Sequence, residues 1–272
     1  MEELAGCPVH WVDSQDKVDI KSLLGEVPAV LIVSGWAVPA FNHIANDIRS
    51  SNGKVIVMND ANYHFSLKEC LRALRFQLFL RRNFDAFFVP GNAGVELMRF
   101  YGVPKDKIVT GMYAADSTLF TDGEELTKRP KKMIYVGRLC ERKNVIGLCK
   151  AFIAAGGPEK GWMLDLYGCG EQKHLLPNDN PSIKVYDFLQ PEELAKVYQN
   201  TRCFVLPSFE EHWGLVVHEA ALSGCLLLLS NRVGAAKDLL CDKNGFTFNP
   251  YSLESFVEVM RKVFELDDNA LT

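Results

Sequence analysis

Pro207-Ser208-Phe209-Glu210-Glu211-His212-Trp213-Gly214-Leu215-Val216-Val217-His218-Glu219-Ala220 is the stretch on which the reading of this chain turns. The apolar run Cys203-Phe204-Val205-Leu206 before it reads as a buried strand, and Leu215 to Leu222 has the apolar spacing of a helix covering a sheet. Glu211 therefore falls in the connecting loop and Glu219 on the helix. A helix start leaves backbone N–H groups without intrahelical acceptors, here around Gly214, Leu215 and Val216, and the helix dipole favours negative charge at the same place. A diphosphate fits such a site, and Gly214 lets it approach closely. If Glu219 faces the same crevice, both glutamates are strong acceptors for a hydroxyl-rich ligand. Two glutamates with seven residues between them are equally what chance and a solvated helix face supply, so the flanking sequence must decide.

Some seventy residues earlier, Met133-Ile134-Tyr135-Val136 reads as a short strand. It runs into Gly137-Arg138-Leu139-Cys140-Glu141-Arg142-Lys143-Asn144 and then the helical pattern Val145, Ile146, Leu148, Phe152. Arg138 at the strand end can meet phosphate bidentately, with Lys143 as a compact positive charge beside it. Standing alone, these would be as well read as two surface cations. Strands near 132–136, 162–167, 183–186, 203–206 and 226–230 alternate with helical segments, which argues for a mainly parallel sheet. Ligands of such sheets lie at the strands' carboxyl ends, where both Arg138 and Glu211 follow.

Tyr135-Val136-Gly137-Arg138-Leu139 with Lys143-Asn144, Gly168-Cys169-Gly170, Pro207-Ser208, Glu211 to Glu219 and Asn244-Gly245-Phe246 resemble, in order and spacing over residues 131–250, the family 4 (group 1) glycosyltransferases. Asp85-Ala86-Phe87-Phe88-Val89-Pro90-Gly91, Tyr101-Gly102-Val103-Pro104, Lys107-Ile108 and Asp116-Ser117-Thr118-Leu119-Phe120 resemble the end of such enzymes' first domain. The resemblance implies an α/β GT-B fold, two Rossmann-like β/α/β domains facing a central cleft. The first is abridged, because the usual opening strand, glycine-rich turn and helix are not found: Val9-His10-Trp11-Val12 is the first strand candidate and Ala29 to Val33 the next. The closing helix that normally returns to the first domain is also not seen after Val263 to Asn269, which fits either a fragment or a compact variant.

What the resemblance implies for function is retaining transfer of a sugar from a UDP- or GDP-linked donor to a glycan, lipid-linked or other hydroxyl acceptor, in polysaccharide or glycoconjugate biosynthesis. Arg138, Lys143 and Glu211 become the catalytic candidates. The donor site adds Gly137, Gly168, Trp213, Gly214, Leu215, Val216 and Glu219, with Phe188 and Leu189 flanking the nucleobase. Gly168 reads equally as a plain turn, Trp213 equally as a core anchor, and His218 as structural. His10, His43 and Asp60 are acceptor-side candidates to which no role is assigned. The alternatives are an inactive nucleotide-sugar binder and another GT-B enzyme such as a sugar-nucleotide epimerase.

Composition bounds these readings. A chain of 272 residues, 48% of them apolar, buries one large core or two modest ones, and two domains, 1–123 and 124–272, fit better. The polar run Asp122 to Pro130 reads as the linker. Net charge −4 gives no basic field for nucleic acid. The histidines show no HxxxH or HExxH pair and the aspartates no DxD motif, so neither a metal nor a cofactor beyond the sugar-nucleotide co-substrate is expected. Leaving-group charge then falls to Arg138, Lys143 and the amides near Gly214. Eight cysteines without a CxxC pair and an acidic Met1-Glu2-Glu3 start, not a signal peptide, suit the cytoplasm. Residues 67–84 put Leu67, Leu71, Leu74 and Leu78 on one helical face and Lys68, Arg72, Arg75 and Arg82 on another. This is a domain helix with a solvated cationic face or, alternatively, a peripheral contact with the inner face of a membrane.

Overall fold

The structure, a computed structural model, describes residues 9–11, 13–14, 17–62, 66–177 and 179–266. They divide into two compact units, Met1–Met112 and Tyr113–Thr272.

In the first unit, β1 (Val30–Ser34), β2 (Lys54–Met58), β3 (Ala86–Phe88) and β4 (Ile108–Val109) form a parallel sheet in sequential order. The helices are α1 (Ile20–Leu24), α2 (Pro39–Ser50), α3 (Leu67–Arg75) and α4 (Asn92–Phe100). Helix α2 starts on Pro39, whose fixed φ suits a first turn, and buries Ala40, Ile44, Ala45 and Ile48 at helical spacing. Val33, Val55, Val57, Phe84 and Phe87 build the core around Phe76, whose ring lies 4.7 Å from that of Trp36. The first strand candidate is not a strand: residues 9–11 adopt no regular structure, and Val12 lies outside the described residues.

Residues 67–84 are not one regular helix. Ser66 caps α3 by accepting from the Glu69 N–H at 3.1 Å, the α-helix ends at Arg75, and a π turn (Phe76–Leu80) and a 3-10 turn (Arg81–Asn83) follow. Ala73 and Phe76 face the core, so Leu67, Leu71, Leu74 and Leu78 are left on the solvated side together with the cations. The solvated face is thus apolar as well as cationic.

The second unit has a six-stranded parallel sheet in the order β10-β9-β8-β5-β6-β7. Its strands are β5 (Lys132–Val136), β6 (Met163–Tyr167), β7 (Ile183–Tyr186), β8 (Cys203–Leu206), β9 (Leu226–Ser230) and β10 (Gly245–Phe248). Its helices are α5 (Val145–Ala154), α6 (Pro191–Gln199), α7 (Leu215–Leu222), α8 (Ala236–Leu239) and α9 (Leu253–Glu265). Strands β8 and β9 are buried at every position, which is why they read as unbroken apolar runs and not as alternating ones. Phe256 of α9 stacks on Phe248 at 3.8 Å, and Phe264 packs against Phe152 and Trp162.

The division between the units falls before the polar run that reads as a linker. Phe120 belongs to the second core, and Arg129, 3% exposed, donates to the carbonyls of Glu124, Thr201 and Ser223 at 2.7, 3.1 and 2.9 Å. A guanidinium so satisfied can be buried, and it ties the segment to the second unit. No helix among the described residues is long and apolar enough to cross a membrane.

Candidate functional site

The strand order of the second unit places β5 at a switch point: the chain proceeds through β6 and β7 on one side, then returns to lay β8 on the other. β5 pairs with β8 only at Met133↔Cys203 and Ile134↔Phe204, while its continuation, Tyr135 and Val136, stays paired with β6. The two strands therefore part at their carboxyl ends, where a doubly wound sheet opens a crevice. A cavity of about 730 Å³ lies there, in the size range of small-molecule sites.

Seven of the residues singled out from sequence line this cavity: Gly137, Arg138, Gly168, Phe188, Leu189, Val216 and Glu219. Phe120, Val136, Tyr167, Cys169, Gly170, Pro191 and Leu194 line it as well and were not singled out as site residues. For Cys169 and Gly170 the signal was available, since they complete the glycine turn; Pro191 and Leu194 belong to α6, whose approach is a matter of tertiary packing. The Tyr167 ring stacks on Tyr186 at 4.7 Å, giving the cavity an aromatic wall.

The glycine turn has a structural explanation of its own. Gly168 has φ 146°, and a Cβ there would run into the carbonyl oxygen of Gly137. The loops after β5 and β6 are laced together by Gly137 N–H to Tyr167 O (3.0 Å) and Leu139 N–H to Cys169 O (2.9 Å). Both loops thereby form one backbone floor to the cavity.

The two cations do not share a partner. Arg138 is exposed and meets Glu171 at 3.3 Å on the cavity rim. Lys143, in contrast, is largely buried and paired with the equally buried Glu211 carboxylate, to which the Ser208 hydroxyl also donates at 3.4 Å. Contacts between the two loops bring this pair together: Phe209 N–H donates to Arg142 O at 2.9 Å, and the Arg142 side chain donates through Nη1 to Glu210 O at 2.8 Å. The loop after β9 holds the other side, with Glu211 N–H donating to Arg232 O at 3.2 Å and Gly234 N–H to Glu211 O at 3.0 Å. In this structure Lys143 and Glu211 thus neutralise each other; neither lines the cavity.

Gly214 caps α7 with φ 89° and ψ 73°, a left-handed conformation suited to glycine, and a Cβ there would press on Glu211 at 3.2 Å. The first amides of α7, at Leu215 and Val216, follow directly; Leu215 is exposed and Val216 faces the cavity. Trp213 is 6% exposed and packs in the second core, so of its two readings the core anchor holds and its ring is not offered to a ligand. His218 Nδ1 accepts from the Ala115 N–H at 3.3 Å, a structural tie.

Glu219 enters the cavity floor from α7. Burial pushes its carboxyl above the usual range, opposed by the Tyr198 hydroxyl 3.4 Å away. Tyr198 is wholly buried, and its hydroxyl lies equally 3.4 Å from the Val216 carbonyl. Among the described residues no group of three or more His, Cys, Asp or Glu side chains is placed to hold a metal ion.

Comparison with known proteins follows the same division of the chain. The D-inositol 3-phosphate glycosyltransferase of Corynebacterium aurimucosum is 23% identical over 200 residues, covering 65% of this chain and 48% of that one. The chain therefore spans about half the length of that relative. Among solved structures, sucrose-phosphate synthase from Thermosynechococcus elongatus superposes with a TM-score of 0.70 at 17% identity, over 92% of this chain and 67% of that one. The pneumococcal O-GlcNAc transferase GtfA, solved in complex with UDP and GlcNAc, superposes with a TM-score of 0.65 at 17% identity, over 89% of this chain and 51% of that one. The two superposed structures share with this chain the Rossmann-like sheets of the GT-B fold. The family profile "Glycosyl transferases group 1" matches residues 118–271, more than half of the sequence and nearly all of the second unit, and the chain belongs to that family.

Proposed function

We propose that the protein is a glycosyltransferase that moves a sugar from a nucleoside-diphosphate sugar to a hydroxyl acceptor, with retained anomeric configuration and without a metal. The reading rests above all on the switch-point cavity, which gathers a glycine floor, a helix start and the Glu219 carboxylate at the carboxyl ends of β5 and β6. In it, Glu219 accepts from the ribose hydroxyls, Phe188 and Leu189 flank the base, and the backbone around Gly137, Gly168 and Val216 lies under the diphosphate. Arg138 reaches the phosphates from the rim. Lys143 turns from Glu211 to the departing diphosphate, which leaves Glu211 to hold hydroxyls of the sugar. Diphosphate departure and acceptor attack take place on one face of that sugar, and positioned cations lower the cost of the developing charge.

The GtfA complex makes UDP the first nucleotide to test. A glycan or lipid-linked acceptor and a place in polysaccharide or glycoconjugate biosynthesis belong to the same reading. So does a cytoplasmic location. Calorimetry and thermal shift with UDP, GDP, ADP and their sugars test the donor site. At about a hundredfold the dissociation constant, the preferred nucleotide stabilises the fold by about 2.7 kcal/mol, and Glu219→Ala abolishes this. No response from any nucleotide in the folded protein overturns the donor assignment. Product analysis tests transfer: a glycosylated acceptor formed in the presence of EDTA supports it, donor binding without product leaves a sugar-nucleotide binder, and a changed sugar configuration makes the protein an epimerase.

A further inference from the structure

The first unit carries a surface that the donor reading does not use. Leu67, Leu71, Leu74, Leu78 and Phe79 are each more than half exposed. At helical spacing Leu67, Leu71 and Leu74 of α3 fall within an arc of about 60°, away from the buried Ala73, and Leu78 and Phe79 extend the exposed apolar surface from the π turn, whose Phe76 is buried. Lys68, Arg72, Arg75, Arg81 and Arg82 are exposed along the same segment. The one carboxylate of residues 67–82, Glu69, is turned inward: it accepts from the Tyr101 hydroxyl and pairs with Arg72 at 3.1 Å. The outward face is therefore apolar and cationic with no negative charge of its own, although the whole chain carries a net charge of −4.

We propose that this face docks on an anionic lipid bilayer, the leucines and Phe79 entering the acyl boundary and the flanking cations meeting headgroup phosphates. An amphipathic helix of this composition gains from both contributions, apolar area and attraction to anionic lipid. A second copy of the chain is the poorer occupant, because a symmetric contact sets Lys68, Arg72 and Arg75 of the two copies against one another without an outward carboxylate between them. The proposal stands apart from the donor-site reading, since nothing of the second unit enters it.

Co-sedimentation of the full chain with phosphatidylcholine vesicles, and with phosphatidylcholine vesicles containing phosphatidylglycerol, tests it. Wild-type protein partitions to the anionic vesicles and weakly to the neutral ones, and added salt releases it. Each cation removed lowers the partition coefficient about fivefold, so Lys68→Glu/Arg75→Glu/Arg82→Glu lowers it by a hundredfold or more. Leu71→Ser/Leu74→Ser/Leu78→Ser loses binding with every cation in place. The thermal midpoint checks that each variant is folded, and the single exchanges Leu71→Ser and Arg75→Glu serve where a triple variant has no transition. Equal binding to neutral and anionic vesicles, binding to neither, or wild-type binding by the leucine variant overturns the proposal. So does a wild-type dimer in light scattering that the leucine variant dissociates, which assigns the stripe to a second copy.

Discussion

Replacing Lys143 by methionine takes the ammonium away from the largely buried Glu211 carboxylate, to which the Ser208 hydroxyl donates at 3.4 Å. Breaking a buried ion pair by removing one partner typically costs 3–5 kcal/mol; each of these groups keeps about an eighth of its side chain in solvent, so the expected loss is about 3 kcal/mol. Glu211→Gln, which keeps an acceptor for the ammonium, costs about 2 kcal/mol, and the double variant costs about 2 kcal/mol, since no uncompensated charge remains. The cycle then yields a coupling of about 3 kcal/mol. In a unit of this size the first change lowers the thermal midpoint by about 6–12 °C. Urea unfolding of the four proteins measures the energies, and UDP titration adds a second axis: Lys143→Met loses nucleotide binding, whereas Glu211→Gln, which frees the ammonium, binds UDP at least as tightly as wild type. Single-variant costs that add to the double-variant cost within about 0.5 kcal/mol refute the reasoning, because the pair would then contribute no coupling.

Gly168→Ala forces a side chain into a left-handed backbone position against the Gly137 carbonyl. It lowers stability by about 1–3 kcal/mol in thermal or urea unfolding, and an unchanged midpoint counts against the close crossing of the two loops. Arg138→Ala removes only an exposed pair with Glu171, so stability moves by less than about 1 kcal/mol while UDP affinity in calorimetry falls about tenfold or more. Glu219 titrates high in the folded protein, so the folded state binds its proton more tightly than the unfolded chain. Stability from this group is therefore fully present below the ordinary carboxylate range, falls as pH rises toward the raised value, and is level beyond it. Glu219→Gln removes that fall; parallel melting curves of variant and wild type across this range exclude it. Nucleotide affinity in the wild type rises over the same interval, as the carboxylate becomes a full acceptor.

The β/α alternation of the second unit was legible in the sequence because its signal is local. Strands covered on both faces are mostly apolar, as Cys203 to Leu206 and Leu226 to Leu229 are, and the helices after β5 and β8 carry apolar residues at helical spacing. By the same logic Arg138 and Glu211, which both follow strand ends, were expected at one crevice; Arg138 lines the cavity, whereas Glu211 is turned to Lys143 and does not. β10 was legible only as the motif Asn244-Gly245-Phe246, being short and partly exposed. Elsewhere, composition misled. Asp122 to Pro130 is polar enough to read as a linker, yet Arg129 is buried, because carbonyls from Thr201 and Ser223 are there to receive it.

The sequence by itself thus determined which residues could form strands, helix starts and a hydroxyl- and phosphate-binding set. Tertiary structure decided how they are paired and which way they face. Lys143 and Glu211 are 68 positions apart, and the contacts among Phe209, Arg142 and the loop after β9 turn a cation and an acceptor that the sequence offered to a ligand into a pair that satisfies itself. Trp213 went to the second core, and the leucines of α3 went outward while Ala73 and Phe76 took the inner face. Periodicity identifies the faces of a helix, but burial depends on neighbours contributed by distant segments, and those exist only once the chain has folded.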